Sequence, residues 1–120
     1  MINSKENVKV ILGKTKQQLK MFQSSDKRIV DAYYIVTSDG SQFILGLYEI
    51  VEDETKLEIN GKYYKQLSSF DEKYPQTWES VVNIYIKQLQ LNPPKLMTEL
   101  KEVLDYTKEL QVERKRLYGL

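Results

Sequence analysis

RIVDAYYIVTSDGSQFILGLYEIV, residues 28–51, is the stretch that decides the fold. Two runs rich in Ile, Val and Tyr flank Ser38-Asp39-Gly40-Ser41. β-Branched and aromatic side chains fit a pleated, half-buried surface. Asp-Gly suits a two-residue turn whose central positions take positive φ. The segment therefore reads as a β-hairpin. Ile29, Tyr33 and Ile35 alternate with Val30, Tyr34 and Val36, so both strand faces are apolar, as in strands covered on both sides. Gly46 leaves a gap in its run, which marks a bulge or a close-packed neighbour.

A second, smaller hairpin follows. KLEI (56–59) and KYYKQL (62–67) flank Asn60-Gly61, a strong short-range hairpin signal. Leu57 and Ile59 point one way, Lys56 and Glu58 the other. Together the hairpins predict a four-stranded antiparallel meander.

Upstream, residues 4–23 show Val8, Ile11, Leu12, Thr15, Leu19 and Phe22 at helical spacing. Asn3 can cap such a helix, with Glu6 reaching back to it. Downstream, Pro75 breaks the chain, and Trp78, Val81, Val82, Tyr85 and Leu89 recur at helical spacing behind a Thr77 cap. Val82, Ile84 and Ile86 also alternate, so residues 78–91 admit a strand, but their length favours a helix. Asn92-Pro93-Pro94 is a hard stop. In the last segment, about 95–118, Leu96, Leu100, Val103, Thr107, Leu110, Arg114 and Leu117 are spaced 4, 3, 4, 3, 4, 3. That is a heptad seam. Acidic residues lie early in it and Lys115 and Arg116 late, as the helix dipole prefers. Gly119 is placed to end it. The expected fold is α+β over one domain, 1–120, in the order α-β-β-β-β-α-α: an N-terminal helix, a four-stranded antiparallel β-meander and two C-terminal helices. The helix can pack on the sheet or on the preceding helix as a core helix would; at 24 residues it is about 36 Å long, more than a short sheet needs, so its end, Val112 to Leu120, could alternatively project.

The chain has no histidine and no cysteine. The commonest general base, the commonest metal ligand and the best side-chain nucleophile are thus missing. No phosphate-loop, dinucleotide, serine-hydrolase or zinc-protease string occurs. Glu52-Asp53-Glu54 is the densest acidic cluster and reads as a solvated turn. No enzyme activity, catalytic residue, cofactor or metal is expected. No apolar run approaches the roughly 18 residues that cross a bilayer, and the first residues, MINSKENVKV, lack the apolar segment and small-residue cleavage site of a signal peptide, so a cytoplasmic protein without a membrane partner is expected.

Net charge is +1, distributed as +5 over residues 1–28, −5 over 29–92 and +1 over 93–120. On a helical first segment Lys5, Lys9, Lys16 and Lys20 would form one basic stripe able to contact phosphates. Lysine outnumbers arginine 15 to 3, which leaves little equipment for reading base edges. Nine tyrosines supply contact area at low entropic cost. Tyr33, Tyr63, Tyr64, Tyr106, Arg114, Arg116, Leu117 and Tyr118 are the expected partner-binding residues. The heptad seam also admits a homo-oligomer.

Abundant Lys, Ile, Asn and Tyr with a single alanine point to an AT-rich genome, such as that of a low-GC Gram-positive bacterium or its phages and plasmids. In this composition, and in no motif, the chain is similar to small accessory proteins of such phages and plasmids. Some of these bind and block host enzymes, antiviral defence effectors among them. The leading expectation is a non-enzymatic protein-binding module, a phage- or mobile-element-encoded inhibitor of a host protein. The alternative is a nucleic-acid-binding accessory protein that uses the basic first segment.

Overall fold

The computed structural model describes residues 8–20, 27–38, 42–70 and 77–119. The fold is α+β: a five-stranded antiparallel sheet followed by two helices. The elements are β1 (Lys9–Lys20), β2 (Lys27–Ser38), β3 (Phe43–Val51), β4 (Leu57–Ile59), β5 (Lys62–Ser69), α1 (Trp78–Leu91) and α2 (Leu100–Tyr118). The strand order is β1-β2-β3-β5-β4.

The expected N-terminal helix is instead β1, paired antiparallel with β2 from Lys9↔Thr37 to Lys20↔Lys27. The register shifts between Ile11 and Gly13, so Leu12 is an extra residue, a β-bulge. Below the bulge Val8 and Val10 join Leu12 on the core side, and above it Gly13 and Thr15 take over that side. The proposed Asn3 cap and Glu6 lie outside the described residues.

The first hairpin stands as β2 and β3, in register from Tyr33↔Tyr48 to Ser38↔Phe43, with its Asp39-Gly40 turn outside the described residues. The second stands as β4 and β5, with Asn60 at φ 52° and Gly61 at φ 82°, the left-handed pair a type I′ turn needs. The sheet is not a meander, however. β3 pairs with β5, and the three-residue β4 is placed outside β5 at the edge. The eight residues of β5 offer β3 a longer ladder than β4 can. Asp53 tightens the preceding loop by accepting from both the backbone N–H and the hydroxyl of Thr55.

The two faces of the sheet differ. Leu12, Ala32, Tyr34, Val36, Phe43, Leu45 and Leu47 make one face and bury against Trp78, Val81, Val82, Tyr85, Ile86 and Leu89 of α1. Edge-to-face ring pairs, Tyr34–Tyr85 at 5.2 Å and Phe43–Trp78 at 5.8 Å, knit the layers. Gly13 allows α1 its seat: a Cβ there would stand 2.2 Å from the Tyr85 hydroxyl oxygen. The other face carries a small cluster of Ile35, Tyr48 and Tyr64, flanked by Tyr33, Leu57 and Ile59. The Tyr48 ring lies over Gly46, the close neighbour its gap implied.

Residues 78–91 are a helix. The Thr77 hydroxyl accepts from the Ser80 N–H, the N-cap geometry expected of it. α2 begins at Leu100 and not near residue 95; residues 92–99 connect the two helices without regular secondary structure. Glu102 then reaches back to accept the Thr98 N–H.

Candidate functional site

α1 and α2 form an antiparallel pair closed at one end. The indole N–H of Trp78, the first residue of α1, donates to the Leu117 carbonyl at 2.6 Å. The Tyr118 hydroxyl donates to Asn83 at 2.8 Å, and the Tyr106 hydroxyl to the Leu89 carbonyl at 3.0 Å. Each contact pairs an early residue of one helix with a late residue of the other. Since Tyr106 lies opposite Leu89 and α1 ends at Leu91, the first turn of α2 overhangs the end of its neighbour.

That placement splits the heptad seam. Leu110 and Leu117 are buried in the main core. Leu96, Leu100, Leu104 and Val103 are 92, 74, 54 and 43% exposed. The tail of α2, which its length left free to project, docks in the core through Leu117, and the beginning of the helix stands open. Leu117, expected as a partner-binding residue, is 1% exposed and belongs to the core. Beside the open seam lies a cleft of 680 Å³ walled by Pro94, Leu96, Met97, Val103, Tyr106 and Leu110. Lys95 is the charged residue among those lining it. A second cleft of 300 Å³ adjoins it, sharing Lys95, Leu96, Met97 and Tyr106 and edged by Glu102, Asp105 and Glu109.

The remaining nominated residues fall in separate places. Tyr33 and Tyr64 meet edge to face at 5.5 Å on the uncovered face of the sheet, with the Lys14 ammonium 5.8 Å from the Tyr33 ring centre. Tyr64 itself is buried in that cluster, so it offers no open ring. Tyr63 is its neighbour in β5, and strand alternation turns it to the opposite face. Arg116 is held by Glu113 through two hydrogen bonds, which raise the guanidinium pKa further. Arg114 keeps a buried Nε without a hydrogen-bond partner. Burial lifts the phenols of Tyr34, Tyr48, Tyr64, Tyr85 and Tyr106 above the usual tyrosine value.

The basic stripe does not form. Lys5 lies outside the described residues, as does the side chain of Lys20. Lys9 and Lys16 sit on an extended strand, about 23 Å apart at the strand rise, where a helix would have held them within about 11 Å. Lys16 and Lys14 both pair with Asp31, whose carboxyl they hold below its ordinary value. Arg28 reaches Glu49 at 3.3 Å across the sheet. Among the described residues no three Asp or Glu side chains gather to hold a metal ion, and Asp53 is committed to its own turn. No helix among the described residues is long and apolar enough to cross a membrane.

The partner-binding residues nominated from the sequence were tyrosines, arginines and Leu117, and none of them stands in the open first turn of α2. The signal was present in Leu96, Met97, Leu100, Val103 and Leu104, an apolar group wider than one seam. No protein-family model, curated protein or solved structure matches the chain.

Proposed function

We propose that this protein is a non-enzymatic binding module that engages another protein through the open start of α2 and the cleft beside it. One observation carries the reading: Leu96, Leu100, Val103 and Leu104 lie exposed side by side. Water around four such side chains is unfavourable by roughly 25 cal/mol per Å² of apolar surface. Contiguous apolar patches of this kind on soluble domains mark interaction sites. The absence of imidazole and thiol supports action by contact and occlusion over bond-breaking. The AT-rich residue usage supports a mobile-element protein that blocks a host protein.

The test is a paired affinity purification from a low-GC Gram-positive host. One bait is the native chain, the other carries Leu100→Glu and Leu104→Glu. Both sites are exposed, so circular dichroism should show the same fold. A host protein retained by the native bait and lost with the variant is the expected result. Identical captures from both baits would remove the support for this surface.

A further inference from the structure

Asn60-Gly61, which shapes the second hairpin, is also a chemically labile pair. An asparagine side-chain amide is open to attack by the backbone nitrogen of the next residue, which closes a five-membered imide, and a following glycine leaves that approach unhindered. Around Gly61 the space is free: nothing lies within 4 Å of where a Cβ would stand. Both residues are exposed. The other described asparagines lack these conditions. Asn83 lies inside α1, ahead of the branched Ile84, and its amide oxygen accepts from Tyr118. Asn92 precedes Pro93, whose nitrogen carries no proton. The closed turn still holds the reacting atoms apart. Asn60 is left-handed at φ 52°, a region where ψ of about +30 to +60° swings the next nitrogen away from the side chain. β4 must let go before ψ can rotate. It spans three residues, pairs with β5 alone among the described strands, and its ladder ends at Ile59↔Lys62, directly beside the turn. Short edge segments of this kind open locally at small cost.

We infer that Asn60 is a site of spontaneous modification in the native protein, gated by the opening of β4 and restrained by Glu58. In the open hairpin the Gly61 nitrogen bonds to Cγ of Asn60. The bond from Cγ to the side-chain nitrogen breaks, and that nitrogen leaves as ammonia with the proton that Gly61 gave up. Water then opens the imide at either carbonyl. One product is aspartate at position 60. The other is isoaspartate, in which the chain runs through the side-chain carbon. Glu58 bears on the first step. Its carboxylate accepts from the Gly61 N–H at 3.4 Å, and a negative charge there opposes loss of the proton that the attack requires. Isoaspartate carries an extra backbone carbon, so the two-residue type I′ turn cannot close again. β4 is then released, and Leu57 and Ile59 leave the cluster that buries Tyr64. The main core contains no residue of β4 and keeps its packing.

The test incubates the folded chain at mildly alkaline pH beside the same chain in urea. Ammonia release and peptide mapping for isoaspartate follow the reaction. The folded chain is expected to convert at position 60, at least about tenfold slower than the unfolded one, and faster as pH rises. Asn60→Asp keeps a turn-forming Asp-Gly pair and should abolish ammonia release from the folded chain. Glu58→Gln keeps an acceptor but removes the charge, and should quicken conversion about threefold. In the converted protein, amide exchange at Leu57 and Ile59 should become fast while the helical circular dichroism stays. A folded chain that yields neither ammonia nor isoaspartate over weeks would overturn the inference. Equal rates in the folded and unfolded chains would overturn it as well, since β4 would then gate nothing. So would conversion that maps to Asn83 or Asn92. A rate unmoved by Glu58→Gln would defeat the restraint assigned to that carboxylate.

Discussion

The two halves of α2 share one heptad pattern and meet opposite fates. From Leu110 onward the seam is covered by α1 and tied down by Trp78 and Tyr118. Before Tyr106 the same pattern faces solvent, because α1 has already ended. Periodicity says which residues share a stripe. It does not say how far the cover extends. In a helical pair of 14 and 19 residues the surplus must overhang somewhere, and here the hydrogen bonds at the Trp78 end place it at the start of the longer helix.

That contrast can be broken in graded ways. Alkali should act most broadly. The phenols of Tyr34, Tyr85 and Tyr106, packed around the docked region, are held above their usual value by burial. The unfolded chain ionises its tyrosines near 10, so their contribution to stability is complete below that pH and is lost as pH rises through the raised folded values. Phenolate absorbance and helical circular dichroism should change together above pH 10. Phenolate formation with the helices intact would contradict the packing.

Leu117→Ala removes a side chain from the closed end and should cost about 2–5 kcal/mol in urea unfolding. A loss under about 1 kcal/mol would mean that this end is not closed as described. Gly13→Ala should cost about 1–3 kcal/mol by pushing against the Tyr85 hydroxyl. Adding Tyr85→Phe should recover part of that loss, since the oxygen in the way is gone. Independent effects that simply add would refute the contact. Tyr106→Phe, at the boundary of the two halves, removes one hydrogen bond to the Leu89 carbonyl and should cost about 1 kcal/mol. Leu100→Ala, on the open side, should shift stability by no more than about 0.5 kcal/mol. A loss as large as that of Leu117→Ala would show that the open half is covered after all.

Much of this architecture was legible before any coordinates. Asn60-Gly61, the hairpin over residues 28–51, the Thr77 cap and the Pro93-Pro94 stop each carry a local chemical reason, and each stands in the structure. The first segment misled for a geometric reason. In an unbroken strand, core-facing residues recur every two positions. The bulge at Leu12 inserts one residue, so Val8, Leu12, Thr15 and Leu19 become spaced 4, 3, 4, the signature of a helix. The β-branched Val8, Val10, Ile11 and Thr15 and the interior Gly13 are the residues in this segment that suit a strand. Losing the helix also lost the basic stripe, since both rested on the same 100° step. The exposed apolar start of α2 was less legible. Tyrosine and arginine counts report composition, whereas exposure depends on where a neighbouring helix stops.

The same inserted residue bears on how the molecule avoids sticking to itself. β1 is twelve residues long and lies at the rim of the sheet, with no second strand beside it among the described residues. A long, flat rim of that kind is a template on which further chains can add as fibrils. An irregularity such as that at Leu12 bends a strand, and Lys9, Lys14 and Lys16, with Asp31 balancing only one of them, leave positive charge along the rim. Deleting Leu12 would straighten the rim, and the variant would be expected to aggregate faster than the native chain.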